Sequence, residues 1–258
     1  MSNHRALITG ASAGIGREIA RQLAVAGVDL VLVARREEKL QSLAAELREA
    51  HGVNTDVIQA DMSDPDAPAA LFDEALRRGL DIDYLVNNAG SSGPDLLGDN
   101  SWSDNRDYLQ LMTTSVAAMC HFFIPPMRER GFGRVLNVAS VAGLLTVSGD
   151  YSYGPTKAYL VALSKGLSAT LKEEGVHVTA LCPGFTHTEF HASEKLTRMK
   201  RSTPRFIWYD VDVVVREGLA ALEKGRAVFI SGRLYRFLIP VLRLSISRWL
   251  FSALGVKI

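Results

Sequence analysis

The sequence predicts an α/β fold, a single doubly wound parallel sheet with helices on both faces. Three observations predict it. Short runs that are nearly all apolar alternate with segments whose apolar residues recur at helical spacing. The first such run leads directly into a glycine-rich loop and an amphipathic helix. No composition break, repeat or linker divides the 258 residues, a length that one large α/β domain can fill. Right-handed crossovers between successive parallel strands then place helices on both faces.

The elements follow in order. "RALIT" is the first strand, "GASAGIG" its loop, and "REIARQLAVAG" a helix that stops at Gly27. "VDLVLVA" is a second buried strand. "RREEKLQSLAAELREAHG" is a helix with Leu40, Leu43 and Leu47 on one face and its charges outward. "VNTDVIQAD" is strand three, and "DPDAPAALFDEALRRG" a helix with acids and prolines in its first turn. Strand four is "IDYLVNNAG", strand five "GRVLNVAS", strand six "GVHVTALCPG" and the last short strand "RAVFIS". Long helices occupy roughly 103–130 and 153–174.

Composition narrows the function. With 47% hydrophobic and 22% charged residues the chain has the profile of a globular protein with a real core. A formal net charge of +1 gives no global field for nucleic acid. Cys120 and Cys182 sit in apolar surroundings and read as buried thiols, which suits a reducing, cytoplasmic compartment. The start "MSNHRALITG" does not read as a signal peptide, and no apolar run is long enough for a spanning helix.

The loop "TGASAGIG" places Gly10, Gly14 and Gly16 between strand and helix. Glycines there let the backbone turn tightly and let a pyrophosphate approach the N–H groups of the helix end. An ordinary strand–helix turn is the plainer reading of the loop taken alone. After "VLVA" the chain continues with Arg35 and Arg36. An acid there would bind a ribose 2′-hydroxyl, whereas guanidinium is the preferred partner of a phosphate dianion. The expected cofactor is therefore NADP(H) over NAD(H). Arg35 is expected to make the contact because it comes first off the strand. Asp61, ending strand three, is placed to receive an adenine amino group.

The stretch "DYSYGPTKAY" holds Tyr151, Tyr153 and Tyr159. Of the three, Tyr153 has a lysine four residues on, Lys157, and on a helix those positions share a face. An ammonium near a phenol favours the phenolate, which would let it exchange protons nearer neutrality. Pro155 fits a first helical turn, so Tyr153 is expected at the helix start. An incidental surface pair is the alternative.

Together these residues resemble the short-chain dehydrogenase/reductase family, whose fold is of the Rossmann type. The resemblance covers roughly residues 5–232. It rests on "TGASAGIG", "NNAG" (Asn87–Gly90), "NVAS" ending at Ser140, "YGPTK" (Tyr153–Lys157) and "PGFTHT" (Pro183–Thr188), with Ser140 thirteen residues before Tyr153. The resemblance implies Tyr153 as general acid, Lys157 as its tuning group and ribose ligand, and Ser140 as holder of the substrate oxygen. It implies that Gly10, Ser12, Gly14, Ile15 and Gly16 surround the phosphates. Asn88, Ala89 and Gly90 would line the adenosine side, and Pro183, Gly184, Thr186 and Thr188 the nicotinamide amide. Tyr151 would line the substrate pocket, and Tyr159 would lie in the core or a subunit interface. The family also suggests a homodimer or homotetramer through the two long helices.

One departure stands out. Met112 occupies the place where the family carries an asparagine that holds a relay water, with Thr113, Thr114 and Ser115 as candidate substitutes. This supports an alternative reading, a non-catalytic dinucleotide-binding sensor or scaffold, which the intact Ser140, Tyr153 and Lys157 oppose. The favoured reading is an oxidoreductase acting on a small-molecule carbonyl or secondary alcohol: an apolar ketone, an aldehyde or a 3-oxoacyl compound.

Two regions vary. A substrate lid is expected at about 186–209, made basic by Lys195, Arg198, Lys200, Arg201 and Arg205. That basicity reads either as a solvated helical face or as a receiver for an acidic substrate tail. His187 and His191 are four apart without an evident third ligand, so no metal is expected. The apolar, basic tail of about 233–258 follows a stretch in which no acid appears after Glu223. It could pack at a subunit interface, wall an apolar pocket, or lie on a membrane surface with Trp249 and Phe251 inserted. The first is favoured, and the membrane reading is weakened because Arg243 and Arg248 would project about 140° apart on a helix.

Overall fold

Seven strands build the sheet: β1 (Arg5–Thr9), β2 (Asp29–Ala34), β3 (Thr55–Gln59), β4 (Tyr84–Asn87), β5 (Gly133–Val138), β6 (Val176–Cys182) and β7 (Val228–Ile230). Their order is β3-β2-β1-β4-β5-β6-β7, and each neighbouring pair is parallel. The computed structural model describes residues 4–188 and 204–243.

Strand periodicity of two divides the core into two layers. From β2, Leu30 and Leu32 join Ile8, Val86, Leu136 and Leu181 on one face. That face is covered by α1 (Gly14–Val25), α2 (Glu37–His51) and α7 (Val211–Glu223). Val31 and Val33 point the other way with Leu7, Leu85, Val135 and Val178. There they meet α3 (Ala67–Arg77), α5 (Ser115–Glu129) and α6 (Tyr153–Leu171). Leu40, Leu43 and Leu47 of α2 are all buried, and so are Cys120 and Cys182. Burial pushes the Cys120 thiol up to about 12, which leaves it inert.

The segment expected as one helix over about 103–130 is interrupted. It comprises α4 (Trp102–Leu109), a π-turn at Gln110–Thr114, and α5. Ser101 caps α4 and exchanges a reciprocal bond pair with Asp104. A final helix, α8 (Arg233–Arg243), follows β7.

Strand order reverses direction between β1 and β4, and the crevice beyond the carboxyl ends of those strands is where such sheets bind ligands. A buried amide sets the geometry beside it. Asn137 of β5 is fully buried. Its Oδ1 accepts from Asn87 Nδ2 of β4 at 2.8 Å, and its Nδ2 donates to Ser164 Oγ of α6 at 2.9 Å. Ser164 in turn donates to the Leu160 carbonyl at 2.7 Å. Asn137→Ala would leave the Asn87 amide with only its weak bond to the Cys120 sulfur in the core, so it should destabilise the protein by about 1–3 kcal/mol. Urea unfolding followed by circular dichroism checks this, and an unchanged midpoint would contradict the role given to Asn137.

Candidate active site

The turn after β1 depends on close backbone approach. Gly10 and Gly14 adopt φ of +67° and +56°, a region that favours glycine. A side chain at Gly16 would collide with Asn88 Nδ2 and lie 2.5 Å from the Gly10 carbonyl oxygen. Asn88 braces this turn by donating to the Thr9 and Gly10 carbonyls at 3.0 and 3.2 Å. The Asn88 and Ala89 amides both donate to Thr9 Oγ1. The Asn88 side chain therefore holds the loop's shape. No side chain caps the N-terminus of α1, and no acid lies in its first turn. Its first N–H groups suit an anion. Ser12 is buried at this loop, and Ile15 packs half-buried against the core.

At the end of β2 the two arginines diverge. Arg35 is 76% exposed and pairs with Asp61 at 3.7 Å. Arg36 instead reaches the glycine loop, donating to Ser12 Oγ at 3.0 Å. Burial raises the Asp61 carboxyl, but hydrogen bonds from Ser63 and the charge of Arg35 outweigh it and hold the group below its ordinary value.

Beyond β5, the Ser140 hydroxyl accepts from the Ala142 amide at 3.1 Å and hydrogen-bonds the Tyr153 phenol. Tyr153 opens α6, as Pro155 implied, and the Asp150 carboxylate accepts from the Gly154 amide at 2.8 Å. Lys157 is buried one turn on, and its Nζ donates to the Val138 carbonyl at 2.7 Å, 5.6 Å from the Tyr153 ring centre. The backbone of Lys157 meets Gly143, where a Cβ would stand 2.5 Å from its carbonyl carbon. The expected lowering of the Tyr153 pKa by Lys157 is not found. Burial pushes the phenol up to about 12, against the Ser140 bond, and burial brings Lys157 down to about 8. Desolvation wins because the ammonium is turned toward Val138.

The segment after β6 closes the other side. The Pro183 carbonyl accepts from the Val141 amide at 3.0 Å, joining it to the Ser140 turn. Thr186 is buried and donates to the Gly184 carbonyl, and the Thr188 side chain faces Gly14. Two residues absent from the sequence reading hold this segment. Tyr235 of α8 covers Gly184 so closely that any Cβ there would overlap its ring. Its hydroxyl accepts from the Phe185 amide at 3.2 Å and donates to the Ile207 carbonyl at 2.8 Å. Tyr209 donates its amide to the Phe185 carbonyl and accepts from the His187 amide.

Met112 is buried, with its sulfur beside Gly90 and accepting from the Ser91 amide at 3.4 Å. Thr113 and Ser115 donate to the carbonyls of Leu109 and Leu111, and Thr114 is exposed. Tyr151 is 48% exposed at the mouth. Tyr159 is 41% exposed on α6, which corrects the core placement and leaves the interface reading. His187 stacks on Trp208 at 5.2 Å. The basic residues Lys195, Arg198, Lys200 and Arg201, with His191, lie outside the described residues, as do Arg248, Trp249 and Phe251.

A serine-bonded phenol and an uncapped helix N-terminus behind a glycine turn, both following strands at the carboxyl edge of a doubly wound sheet, are the equipment of a dinucleotide-dependent oxidoreductase. Comparison with known proteins narrows this class. The family model for short chain dehydrogenases matches residues 4–198, and the chain belongs to that family, whose members act on CH–OH and C=O groups. A 3-oxoacyl-(acyl-carrier-protein) reductase of Staphylococcus aureus is 30% identical, over 88% of this chain and 94% of its own. A short-chain dehydrogenase from Sphingobium yanoikuyae, solved in complex with NADPH, is 32% identical with a TM-score of 0.80, covering 98% of this chain and 92% of its own. A bulky-bulky ketone specific alcohol dehydrogenase from Comamonas testosteroni is 30% identical with a TM-score of 0.77, covering 99% and 92%.

Two outcomes follow from this geometry. Tyr235→Phe removes both bonds of the hydroxyl and keeps the ring over Gly184, so the Phe185 amide should exchange hydrogen about tenfold faster or more while the sheet interior stays protected. Unaltered exchange at Phe185 would rule out the clamp. Lys157 should also shape stability against pH. Its folded value of about 8 lies below the ordinary 10.5, so the unfolded chain binds more protons between them and stability rises with pH there. Tyr153, raised from 10.0 to about 12, acts in the opposite sense above pH 10. From about pH 8 to about 10 the parent should therefore gain stability relative to Lys157→Met. Parallel curves from denaturant titrations would show that the lysine is not desolvated.

Proposed function

We propose that the protein uses NADP(H) to interconvert an apolar ketone, aldehyde or 3-oxoacyl compound with its alcohol. The observation that carries this reading is the joining of Ser140, Tyr153 and Lys157 after β5, on the same carboxyl edge of the sheet as the glycine turn that Arg36 reaches. Gly10, Ser12, Gly14, Ile15 and Gly16 receive the pyrophosphate, with α1's uncapped amides turned to it. Arg36, bound to Ser12 at the loop, is as well placed as Arg35 to meet a 2′-phosphate, and Asp61 beside Arg35 lies at the adenine end. The segment of Pro183, Gly184, Thr186 and Thr188 holds the nicotinamide end, and Ala89 and Gly90 the floor between. The NADPH in the Sphingobium structure supports the choice of cofactor.

Reduced nicotinamide supplies the hydride when bound. The residues of this chain do the rest. Ser140 donates a hydrogen bond to the carbonyl oxygen and steadies the charge that develops there. Tyr153 delivers its proton to the same oxygen as the carbon accepts the hydride, leaving a phenolate that solvent reprotonates. Lys157, charged below about pH 8, rests on the Val138 carbonyl 5.6 Å from the ring centre and steadies the phenolate once its ammonium turns toward it. Met112 offers no hydrogen-bonding side chain of the family type, so reprotonation does not run through one at this position.

An apolar substrate fits the mouth. Ser152 Oγ donates to the Pro94 carbonyl at 3.1 Å, joining the turn before α6 to the loop after β4. On those two segments Leu96, Leu97, Val147 and Tyr151 are exposed. The bulky ketone specificity of the Comamonas enzyme and the 3-oxoacyl specificity of the Staphylococcus reductase support this class. Exposed Trp102, Leu109 and Tyr159 on α4 and α6 support assembly through those helices as a homo-oligomer.

The test is nicotinamide absorbance with NADPH and NADH over a panel of ketones, aldehydes and 3-oxoacyl thioesters. Tyr153→Phe should lower kcat/KM by about 10²- to 10⁴-fold while NADPH affinity holds. The Arg35→Ala, Arg36→Ala pair should weaken NADPH about tenfold or more and leave NADH unchanged. Tighter NADH binding by the parent would overturn the arginine assignment. NADPH binding with no turnover anywhere in the panel would favour a dinucleotide sensor.

A further inference from the structure

The first turn of α6 is fastened by a carboxylate rather than by its own N-cap. Ser152 holds the N-cap position but makes no side-chain bond to the helix, since its hydroxyl goes to the Pro94 carbonyl. Pro155 has no N–H to offer. Asp150, three residues before the helix, accepts the Gly154 amide at 2.8 Å, and an acid at a helix N-terminus is favoured by the dipole. Asp150 is itself set by a turn, its amide donating to the Val147 carbonyl at 3.2 Å across Gly149, whose φ is +83°. The carboxylate lies tight against Gly154. A Cβ there would stand 2.7 Å from Asp150 Oδ2 and 3.2 Å from the Ala142 carbonyl oxygen. Asp150 therefore sits where α6 meets the turn that carries Ser140.

Few groups that could carry charge face this corner. Ser140 comes from the turn after β5, Lys157 from the next turn of α6, Cys182 from the end of β6 and Tyr108 from α4. The Lys157 ammonium is directed to the Val138 carbonyl, and Cys182 is a buried thiol. Tyr108 is a second buried phenol, 3.4 Å from the hydroxyl of Thr156, which donates to the Tyr153 carbonyl at 2.9 Å. Asp150 is half-buried and has no ion-pair partner among the described residues. A negative charge beside a phenol disfavours the phenolate. Burial is the largest cause of the rise at both Tyr153 and Tyr108, and Asp150 adds to it at each. One carboxylate thus acts on the helix start through a hydrogen bond and on the phenols through its charge.

We propose that Asp150 is a positioning residue of the reaction, holding the first turn of α6 against the Ser140 turn and biasing Tyr153 toward its proton-donating form. This rests on the reading of Tyr153 as the proton donor. Asp150→Asn keeps an oxygen acceptor for the Gly154 amide and deletes the charge. In alcohol oxidation with NADP+, where Tyr153 must take a proton, the rise of kcat/KM with pH should then move about half a unit lower. The thermal midpoint should stay near that of the parent. Asp150→Ala should show the same displacement and also melt lower, because the bond to Gly154 is gone. A second readout needs no turnover. In protein isotope-labelled at the tyrosine Cζ, the Tyr153 resonance is identified by its absence from Tyr153→Phe. It should begin its phenolate shift at lower pH in Asp150→Asn. If the resonance moves and the rate profile does not, the charge effect of Asp150 stands and the reading of Tyr153 as donor fails. If the resonance does not move, or Asp150→Asn scales kcat by one factor at every pH, Asp150 is a cap alone and the proposal is overturned.

Discussion

Asn137 fixes the relation between the sheet and α6, and the site depends on that relation. The two hydrogen bonds of its side-chain amide span β4, β5 and α6 in the buried core. One residue further along β5, Val138 turns its carbonyl to Lys157 Nζ, and two beyond that Ser140 meets the Tyr153 phenol. Ser164 is two helical turns from Lys157. A rotation of α6 about its axis would therefore break the Asn137–Ser164 hydrogen bond as it displaced the lysine. Buried polar groups are held to a single arrangement because the alternative is an unsatisfied donor.

The site combines burial and charge in a way that neither the tyrosine nor the lysine would show alone. Water is largely excluded from the pair, so both groups are driven toward their neutral forms. Ser140 opposes this at the phenol, and nearby Asp150 adds to it. The lysine's hydrogen bond to a backbone carbonyl keeps it oriented without neutralising it. The pair therefore rests with the phenol protonated and with the lysine charged below about pH 8.

Much of this was legible in the sequence because it is local. Short, nearly all-apolar runs marked the strands, Pro155 marked the start of α6, and the i, i+4 spacing marked Tyr153 and Lys157. The glycine turn was legible because glycine is required where Gly10 and Gly14 take positive φ. Three things were not. The π-turn at Gln110–Thr114 changes helical pitch without changing the apolar pattern that signals a helix. The direction of the tyrosine shift depends on where Lys157 Nζ points, which spacing does not fix. The crossing of Arg36 to Ser12, and of Tyr235 to Gly184, joins residues 24 and about 50 apart that share no motif.

The contact of Tyr235 with Gly184 and Phe185 also has a consequence for biosynthesis. The glycine turn, the serine and the tyrosine–lysine helix all leave the ribosome before α8 does. β7, which pairs at the sheet edge beside β6, and the helix that follows it are made last among the described elements. Until they emerge, the segment bearing Gly184 lacks its cover and Glu217 lacks Arg236. The growing chain thus carries Ser140, Tyr153 and Lys157 for some time before it can complete the wall beside them.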